Sequence, residues 1–383
     1  MKVAYVLSDL HKPGGWRNHA CAFLEAIRAY VEPVLYVSAA DGAIAHSLFP
    51  ECAIFTLPVT QQAALSSWSG FPRLAAACWE IRRGDFPAVD LVHSLEAYPT
   101  GLVGSWLARR LGCPHAITTH GTYGVIWIER ALDRRAYEQV LQRTKLVCPV
   151  SQGTAQLVQR YFGESLTHAT VHTILNGNHF YKSFPRAAAF DRPFPPTPTV
   201  LSVGDVKPRK GQLTSLAAFA SVKSRLPAAR YLIAGSYQQD DYYRKLQQFI
   251  VEHGLQDVTF LGRVSESDLH HLYQESSLFV LAPQQAGLHF EGFGLVYLEA
   301  GAYGLPVVGT RTGGVPDAVK DGETGVLVEP GDVPGLAEAV FQLLADPELA
   351  RRMGQANRVW AETLTWERTA LEQFRAYQSL DCA

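Results

Sequence analysis

Short apolar runs alternate with amphipathic stretches from the first residues onward. KVAYVLSD (2–9), PVLYVSA (33–39), FTLPV (55–59), AVDLVHSLE (88–96), HAITTHG (115–121) and KLVCPVS (145–151) are strand-like runs rich in Val, Ile and Leu. Between them, apolar residues spaced three and four apart predict helices over 16–29, 72–83 and 101–111. The pattern stops at KSFPRAAAFDRPFPPTP (182–198), which has no periodicity and five prolines. It then restarts with strands TVLSVG (199–204), ARYLIAGS (229–236), VTFLG (258–262), LFVLAP (278–283) and PVVGT (306–310). Helices are expected over 212–225, 240–253, 265–276, 294–303, 335–344 and 366–377, the third of them capped by Ser265 with Asp268 three positions on. Apolar strands separated by helices predict parallel sheets covered on both faces. The expected fold class is therefore α/β, with two doubly wound, Rossmann-like domains facing across a cleft. The expected boundaries are an N-terminal domain at 1–182, a linker at 183–198, a C-terminal domain at 199–360, and a last helix at 361–383 packing back on the N-terminal domain.

At 383 residues and 47% apolar, the chain can supply a core to each domain. Thirty-four basic and 36 acidic residues leave a formal charge of -2, so no overall field argues for nucleic acid as a partner. Six cysteines without a CxxC pair suit a reducing compartment and imply no zinc site. MKVAYVLSDLHKPGG reads as a first strand and not as a signal peptide, and no apolar run is long enough to span a membrane. A cytoplasmic location is expected, with room for peripheral contact at the inner face of the membrane.

Candidate chemistry gathers in the second half, where three polar or glycine-rich loops follow strand ends: DVKPRKGQ, QQAGLHFEGFG and RTGGVPD. Gly292 and Gly294 would leave the first amides of the 294–303 helix open to phosphate oxygens. Lys207, Arg209 and Lys210 would add positive charge, although PRKG taken alone reads as a solvated turn before a helix. Glu291 and Glu299 are acceptors suited to vicinal hydroxyls, as on a sugar and a ribose. Their spacing suits the roughly 10–14 Å between a nucleoside ribose and a sugar beyond a diphosphate, but two unrelated surface glutamates would satisfy it equally. The dinucleotide fingerprint fails, because Tyr297 stands where the third glycine is needed, and no phosphate-binding GxxxxGK[ST] loop occurs.

VLSVGDVKPRKG (200–211), YLIAGS (231–236), VTFLGRV (258–264), LFVLAP (278–283), the long run from EGFG to EPGD (291–332) and WERTA (366–370) occur in one order. With ILNGNHF (174–180), these segments resemble the retaining, GT-B-fold glycosyltransferases of family 4, also called glycosyl transferases group 1. The resemblance covers most of residues 174–375; the first domain matches mainly in outline. It implies transfer of a sugar from a nucleotide-diphosphate sugar, UDP- or GDP-linked, to a hydroxyl of a glycan, glycolipid or small molecule. Glu299 would accept the ribose hydroxyls and Glu291 would contact the transferred sugar. Lys210 would bind the diphosphate with amides around Phe293, Gly294 and Leu295, and Val264 would lie by the base. In the first domain, Gly14 and Gly15 match a glycine pair that brings backbone close to phosphate and acceptor, and His120 matches a residue near the sugar ring. One departure stands out: the family usually has arginine where this chain has Asp205, so Lys207 and Arg209 either share that arginine's role or leave it unfilled.

In the mechanism the resemblance implies, the acceptor attacks the face that the diphosphate leaves, a diphosphate oxygen helps to take the acceptor proton, and no metal or other cofactor is needed. His120 has a second reading as a satisfied histidine at a strand end. Acceptor-facing candidates are WSGFPRLAAACWEIRRG (68–84) and YGVIWIER (123–130), whose aromatic and arginine residues suit either a lipid surface or core packing. Two other readings remain at this point: a nucleotide-sugar-binding protein with weak turnover, and an NAD(P)-binding oxidoreductase.

Overall fold

The computed structural model describes residues 1–12, 14–58, 64–180 and 194–380, so most of the expected linker, 183–193, lies outside the described residues. The chain divides into two compact units, Met1–Asn176 with Trp366–Ala383, and Gly177–Thr365.

The first unit opens with β1 (Lys2–Val6), α1 (Gly15–Ile27), β2 (Glu32–Val37), α2 (Gly42–Leu48), β3 (Ala53–Thr56) and α3 (Gly70–Arg83). It continues with β4 (Leu91–Ser94), α4 (Thr100–Leu111), β5 (His115–Thr119), α5 (Ala131–Arg143), β6 (Leu146–Pro149), α6 (Gln152–Phe162) and β7 (Thr170–Val171). Every strand pairs in parallel, in the order β3-β2-β1-β4-β5-β6-β7. The central strands β1, β4, β5 and β6 are buried almost throughout, which is why they read as unbroken apolar runs rather than alternating ones. The third strand runs over Ala53–Thr56 and not over 55–59, and residue 59 lies outside the described residues.

The second unit begins with β8 (Thr199–Val203), α7 (Gln212–Arg225), β9 (Arg230–Ala234), α8 (Asp241–Glu252), β10 (Val258–Gly262) and α9 (Glu266–Glu275). It closes with β11 (Leu278–Val280), α10 (Leu295–Ala302), β12 (Val307–Thr310), α11 (Val315–Ala318), β13 (Gly325–Val328), α12 (Val333–Ala345) and α13 (Pro347–Thr363). Its sheet is again parallel, ordered β10-β9-β8-β11-β12-β13. Ser265 caps α9 as its spacing predicts, accepting from the Asp268 N–H at 3.1 Å and donating to the Asp268 carboxylate at 2.7 Å.

The last helix, α14 (Trp366–Gln378), belongs to the first unit, where Trp366, Ala370 and Tyr377 enter the core beside Tyr5 and Phe23. Both sheets share one topology. Strand order reverses between β1 and β4 and again between β8 and β11. At such a switch point the loops leaving the two central strands run in opposite directions and open a crevice at the carboxyl ends.

Candidate active site

In the second unit, the crevice is built by the loop after β8 and the loop after β11. Lys207 leads into a single 3-10 turn, Pro208–Lys210, which Gly211 ends in the left-handed conformation at φ 70°. The turn carries Lys210 back over the strand end, where a Cβ on Gly204 would lie 3.6 Å from the lysine Cε. Gly211 is pressed against β11's extension: a Cβ there would stand 1.7 Å from the Ala282 carbonyl oxygen. The Gln284 N–H donates to the Arg209 carbonyl at 2.8 Å, so the two loops are tied by backbone.

Glu291 enters this crevice and is buried. Its Oε2 accepts from Lys210 Nζ at 2.6 Å and from Arg209 Nη1 at 3.2 Å. Burial pushes the Glu291 carboxyl up, but the Lys210 charge, then that of Arg209, and the bonds from both outweigh it, so the group lies below its ordinary value and is ionised at neutral pH. Its backbone is held from the other side, since the Gly314 N–H donates to the Glu291 carbonyl at 2.9 Å. Gly313, at φ 54°, would put a Cβ 2.2 Å from that carbonyl, which explains the first of the two glycines of RTGGVPD.

Gly294 precedes α10 in the left-handed region at φ 89°, and no side chain caps the helix. The Tyr297 N–H donates to the Gly294 carbonyl at 3.0 Å, so it is the amides before it, at Leu295 and Val296, that face outward for an anion. Phe293 is buried, so at that position only the backbone can meet a ligand. Tyr297, at the place of the missing third glycine, pins α10 to the sheet by donating to the Leu281 carbonyl at 2.7 Å.

Glu299 is half-buried and accepts from the Tyr273 hydroxyl at 2.9 Å. Burial pushes its carboxyl up to about 7; the Tyr273 bond and the Lys210 charge offset part of that rise, and Glu266 adds to it. The Lys210 charge thus acts on both glutamates, which belong to one electrostatic neighbourhood. Tyr273, fully buried on α9, was not foreseen from the sequence. Its signal was a tyrosine among polar neighbours on a helix directly before an apolar strand, a pattern shared by any core tyrosine. Val264 is half-buried and lies just before α9, the helix that carries Tyr273.

One of the expected residues, Lys207, engages the departing position instead. Lys207 Nζ donates to Asp205 Oδ2 at 2.9 Å, with both side chains about half exposed. The carboxylate at the unusual position is therefore neutralised locally by Lys207, and Arg209 and Lys210 remain the cations directed at Glu291.

In the first unit, Gly14 (φ 151°) precedes α1 and Gly15 is its first residue, and among the described residues a Cβ on either would meet no atom within 4 Å. His120 follows β5, with Nε2 2.9 Å from the Leu95 carbonyl and its ring edge-on to Trp16 at 5.1 Å and to His19 at 4.5 Å. A carbonyl only accepts, so Nε2 carries the proton and Nδ1 keeps its lone pair. Burial holds His120 down to about 4, a shift that the Leu95 bond partly offsets, so the ring is neutral at pH 7. Glu96, across the switch point, accepts from the Ser8 N–H at 3.2 Å, the Ser8 hydroxyl at 3.0 Å and the Thr100 hydroxyl at 3.0 Å, which fixes the loop after β1.

Among the described residues no group of three His, Cys, Asp or Glu side chains could hold a metal ion, and no helix is long and apolar enough to cross a membrane.

Twin parallel sheets of this order, one with cations and an uncapped helix start at its switch point, define the GT-B class of nucleotide-sugar enzymes. The family model described as Glycosyl transferases group 1 matches residues 188–360, and that described as Glycosyltransferase Family 4 matches residues 13–178. The GDP-mannose-dependent alpha-(1-6)-phosphatidylinositol monomannoside mannosyltransferase of Mycolicibacterium smegmatis is 34% identical over 272 residues, covering 69% of this chain and 70% of that protein. The GDP-mannose-dependent monoacylated alpha-(1-6)-phosphatidylinositol monomannoside mannosyltransferase of Corynebacterium glutamicum is 30% identical over 304 residues, covering 77% of each chain. Among solved structures, HepE of Anabaena in complex with UDP and glucose superposes with a TM-score of 0.71 at 20% identity over 100% of both chains. A glycosyltransferase of Rickettsia africae superposes with a TM-score of 0.76 at 17% identity over 99% of this chain and 98% of that one. At those identities the structures speak for the fold.

The chain belongs to glycosyltransferase family 4. It is an enzyme that transfers a sugar from a nucleotide-sugar donor to an acceptor with retention of configuration, which sets aside the binding-protein and oxidoreductase readings.

Proposed function

We propose that the second unit binds a UDP- or GDP-linked hexose along the carboxyl ends of β8 and β11, with GDP-mannose the first candidate, and that the acceptor hydroxyl belongs to a glycan, a glycolipid or a small molecule, a glycolipid first. The observation that carries the donor assignment is the 2.6 Å Lys210–Glu291 pair beside the uncapped start of α10. The curated relatives named above use GDP-mannose and act on phosphatidylinositol mannosides, which supports that choice of donor and acceptor.

In this reading Lys210, Arg209 and the amides of Phe293, Gly294 and Leu295 take the diphosphate. An ammonium has three donors, and Glu291 engages one of them, leaving two for phosphate oxygens. Glu291 accepts hydroxyls of the transferred hexose, Glu299 accepts those of the ribose, and Val264 lies by the base. As the glycosidic bond to the diphosphate breaks, its electron pair leaves with the phosphate oxygen, and the cations stabilise the growing charge. The acceptor hydroxyl attacks from the same face and passes its proton to a diphosphate oxygen. Within the first unit, His120 is neutral and its Nδ1 can accept from a sugar hydroxyl, and Gly14 and Gly15 leave their backbone open to a ligand. A cytoplasmic location, peripheral to the inner face of the membrane, accompanies a lipid acceptor.

The test is release of free nucleotide from a panel of UDP-, GDP- and ADP-hexoses with glycolipid and sugar acceptors. Acceptor-dependent release from a GDP- or UDP-hexose is expected. Release from ADP-hexoses alone would overturn the donor assignment.

The titration of Glu299 supplies a second check. Hydroxyls of a bound ribose donate to a carboxylate, so binding favours the ionised form of a group that is otherwise half-protonated near pH 7. Below that pH, binding must expel a proton, and affinity for a nucleoside diphosphate is expected to rise with pH by up to about tenfold per unit before levelling off above 7. The ligand's own phosphate titrates identically with Glu299→Gln, so the difference in calorimetric pH profiles isolates Glu299. Tyr273→Phe removes a donor to the carboxylate and should move the midpoint upward. Superimposable profiles for the native enzyme and Glu299→Gln would reject the ribose role.

A further inference from the structure

His19 lies on the inward face of α1 and is only 6% exposed. Trp16 and Phe23, three positions before it and four after, stack on its ring at 5.8 and 6.3 Å. Trp16 is itself pinned, its Nε1 donating to the Ser8 carbonyl at 2.8 Å. Trp366 and His120 stand nearly perpendicular to the ring at 5.0 and 4.5 Å. Packing of this kind would suit phenylalanine equally well. Yet the residue carries two nitrogens, and Nδ1 is buried with no hydrogen-bond partner among the described residues. A buried polar atom left unpaired destabilises the folded state, so its presence calls for a partner. A cavity opens beside it, walled by His19, Leu95, Thr118, Cys148, Asn176 and Gln373 among others, all in the first unit. Its polar walls are themselves enclosed: Thr118 is bonded to His93 Nε2 at 2.9 Å and Gln373 donates to Cys148 Sγ at 3.3 Å, each residue at least nine-tenths buried. Leu95 is the residue whose carbonyl accepts from His120 Nε2. The two residues that hold His120, one by a hydrogen bond and one by its ring, thus share one polar cavity.

We propose that this cavity holds an ordered water bonded to His19 Nδ1, and that His19, fixed by that bond, is the positioning residue for His120. The enclosed space admits about one water-sized molecule, and its several polar walls offer the partners that an internal water needs. The aromatic neighbours set the plane of the His19 ring but leave it free to turn over by half a revolution about Cβ–Cγ. A partner for one nitrogen makes one of those two orientations the stable one, and sets the tautomer with it. Perpendicular ring contacts depend on which edge is offered, because a ring is positive at its edge and negative on its face. His120 therefore meets a defined neighbour in one orientation of His19 only, and its Nδ1 is kept in one place for a sugar hydroxyl. His19 lies well below its ordinary value through burial first and then through His120 and His93, so the water meets a neutral ring. The inference rests on the reading of His120 as the residue that accepts from the sugar.

A crystal structure of the native enzyme tests the water directly, and density for a single ordered molecule within hydrogen-bond reach of His19 Nδ1 is expected. A dry cavity, or a larger molecule filling it, would overturn the inference. Kinetics test the positioning. His19→Phe keeps the ring stack but carries no nitrogen, and kcat is expected to fall by about 10- to 100-fold, as for a misplaced group. Donor KM and the thermal shift given by a nucleoside diphosphate should stay close to native, because both report on the second unit. His120→Gln should lose at least as much turnover, and adding His19→Phe to it should cost nothing further, since one residue acts through the other. Losses that multiply in the double variant would mean that His19 supports the fold and not His120, and would overturn the inference. So would native turnover in His19→Phe beside a crippled His120→Gln. Native turnover in His120→Gln would overturn the inference together with the role given to His120.

Discussion

Lys210→Ala is expected to lower kcat/KM by about 10²- to 10³-fold, the usual consequence of removing one preorganised donor from a site where charge develops. The lysine is the cation with the closest contact to Glu291 and is itself largely enclosed, its side chain 12% exposed against 34% for Arg209. Its loss acts twice. The diphosphate loses a point charge, and Glu291 loses the stronger of the two cations that keep it ionised below its ordinary value. What remains is a buried carboxylate facing an incoming anion with Arg209 as its only bonded cation among the described residues. Binding of a nucleoside diphosphate should therefore weaken far more than binding of the nucleoside. Adding Glu291→Gln to Lys210→Ala should restore part of the diphosphate affinity, because the repulsion goes with the charge, even though turnover stays low. A double-mutant cycle on diphosphate affinity measures that coupling, and simple additivity would mean that the pair does not share a ligand.

That pair was legible in the sequence only as two separate motifs. Lys210 and Glu291 stand 81 positions apart, and each was singled out for its own loop, one basic and one glycine-rich. The switch point joins them, and it follows from strand order, which apolar periodicity does not encode. The periodicity did reveal most of the strands, because a strand buried on both faces is an unbroken apolar run. It was blind to α2, α5, α6, α11 and α13. In α13 the buried positions include Ala350, Gly354, Asn357, Arg358 and Ala361, so the packing face is small and polar and gives no apolar stripe. Gly354 is there because the helix runs against the Gly304 carbonyl, which a Cβ would approach to 2.1 Å. Arg358 is fully buried because its guanidinium bonds the Ala302 carbonyl and Glu362. Tyr273 was hidden for a related reason: its hydroxyl matters through Glu299, a contact between two helices that no local spacing announces.

Gly211→Ala should disable the second unit's site while leaving most of the fold standing. The residue sits at φ 70°, where an alanine costs about 1–2 kcal/mol by itself. The larger effect is steric, because the new Cβ would lie 1.7 Å from the oxygen and 2.6 Å from the carbon of the Ala282 carbonyl. These are backbone atoms of a fully buried residue, and the strand end beside them is held by the Tyr297 hydroxyl bond to Leu281. The strand cannot yield, so the turn must. Lifting the 208–210 turn breaks the Arg209 carbonyl bond to Gln284 and carries Lys210 away from Glu291. Turnover is expected to fall by 100-fold or more, on the order of the loss from deleting the lysine itself. Gly254→Ala is the matched control, since Gly254 has nearly the same φ, 60°, with nothing within 4 Å of a new Cβ. It should carry the conformational cost alone, lowering Tm by a few degrees with turnover unchanged. Melting curves and steady-state rates of the two variants separate strain from collision. If Gly211→Ala turned over like Gly254→Ala, the wedge between Gly211 and Ala282 could not be what aims Lys210.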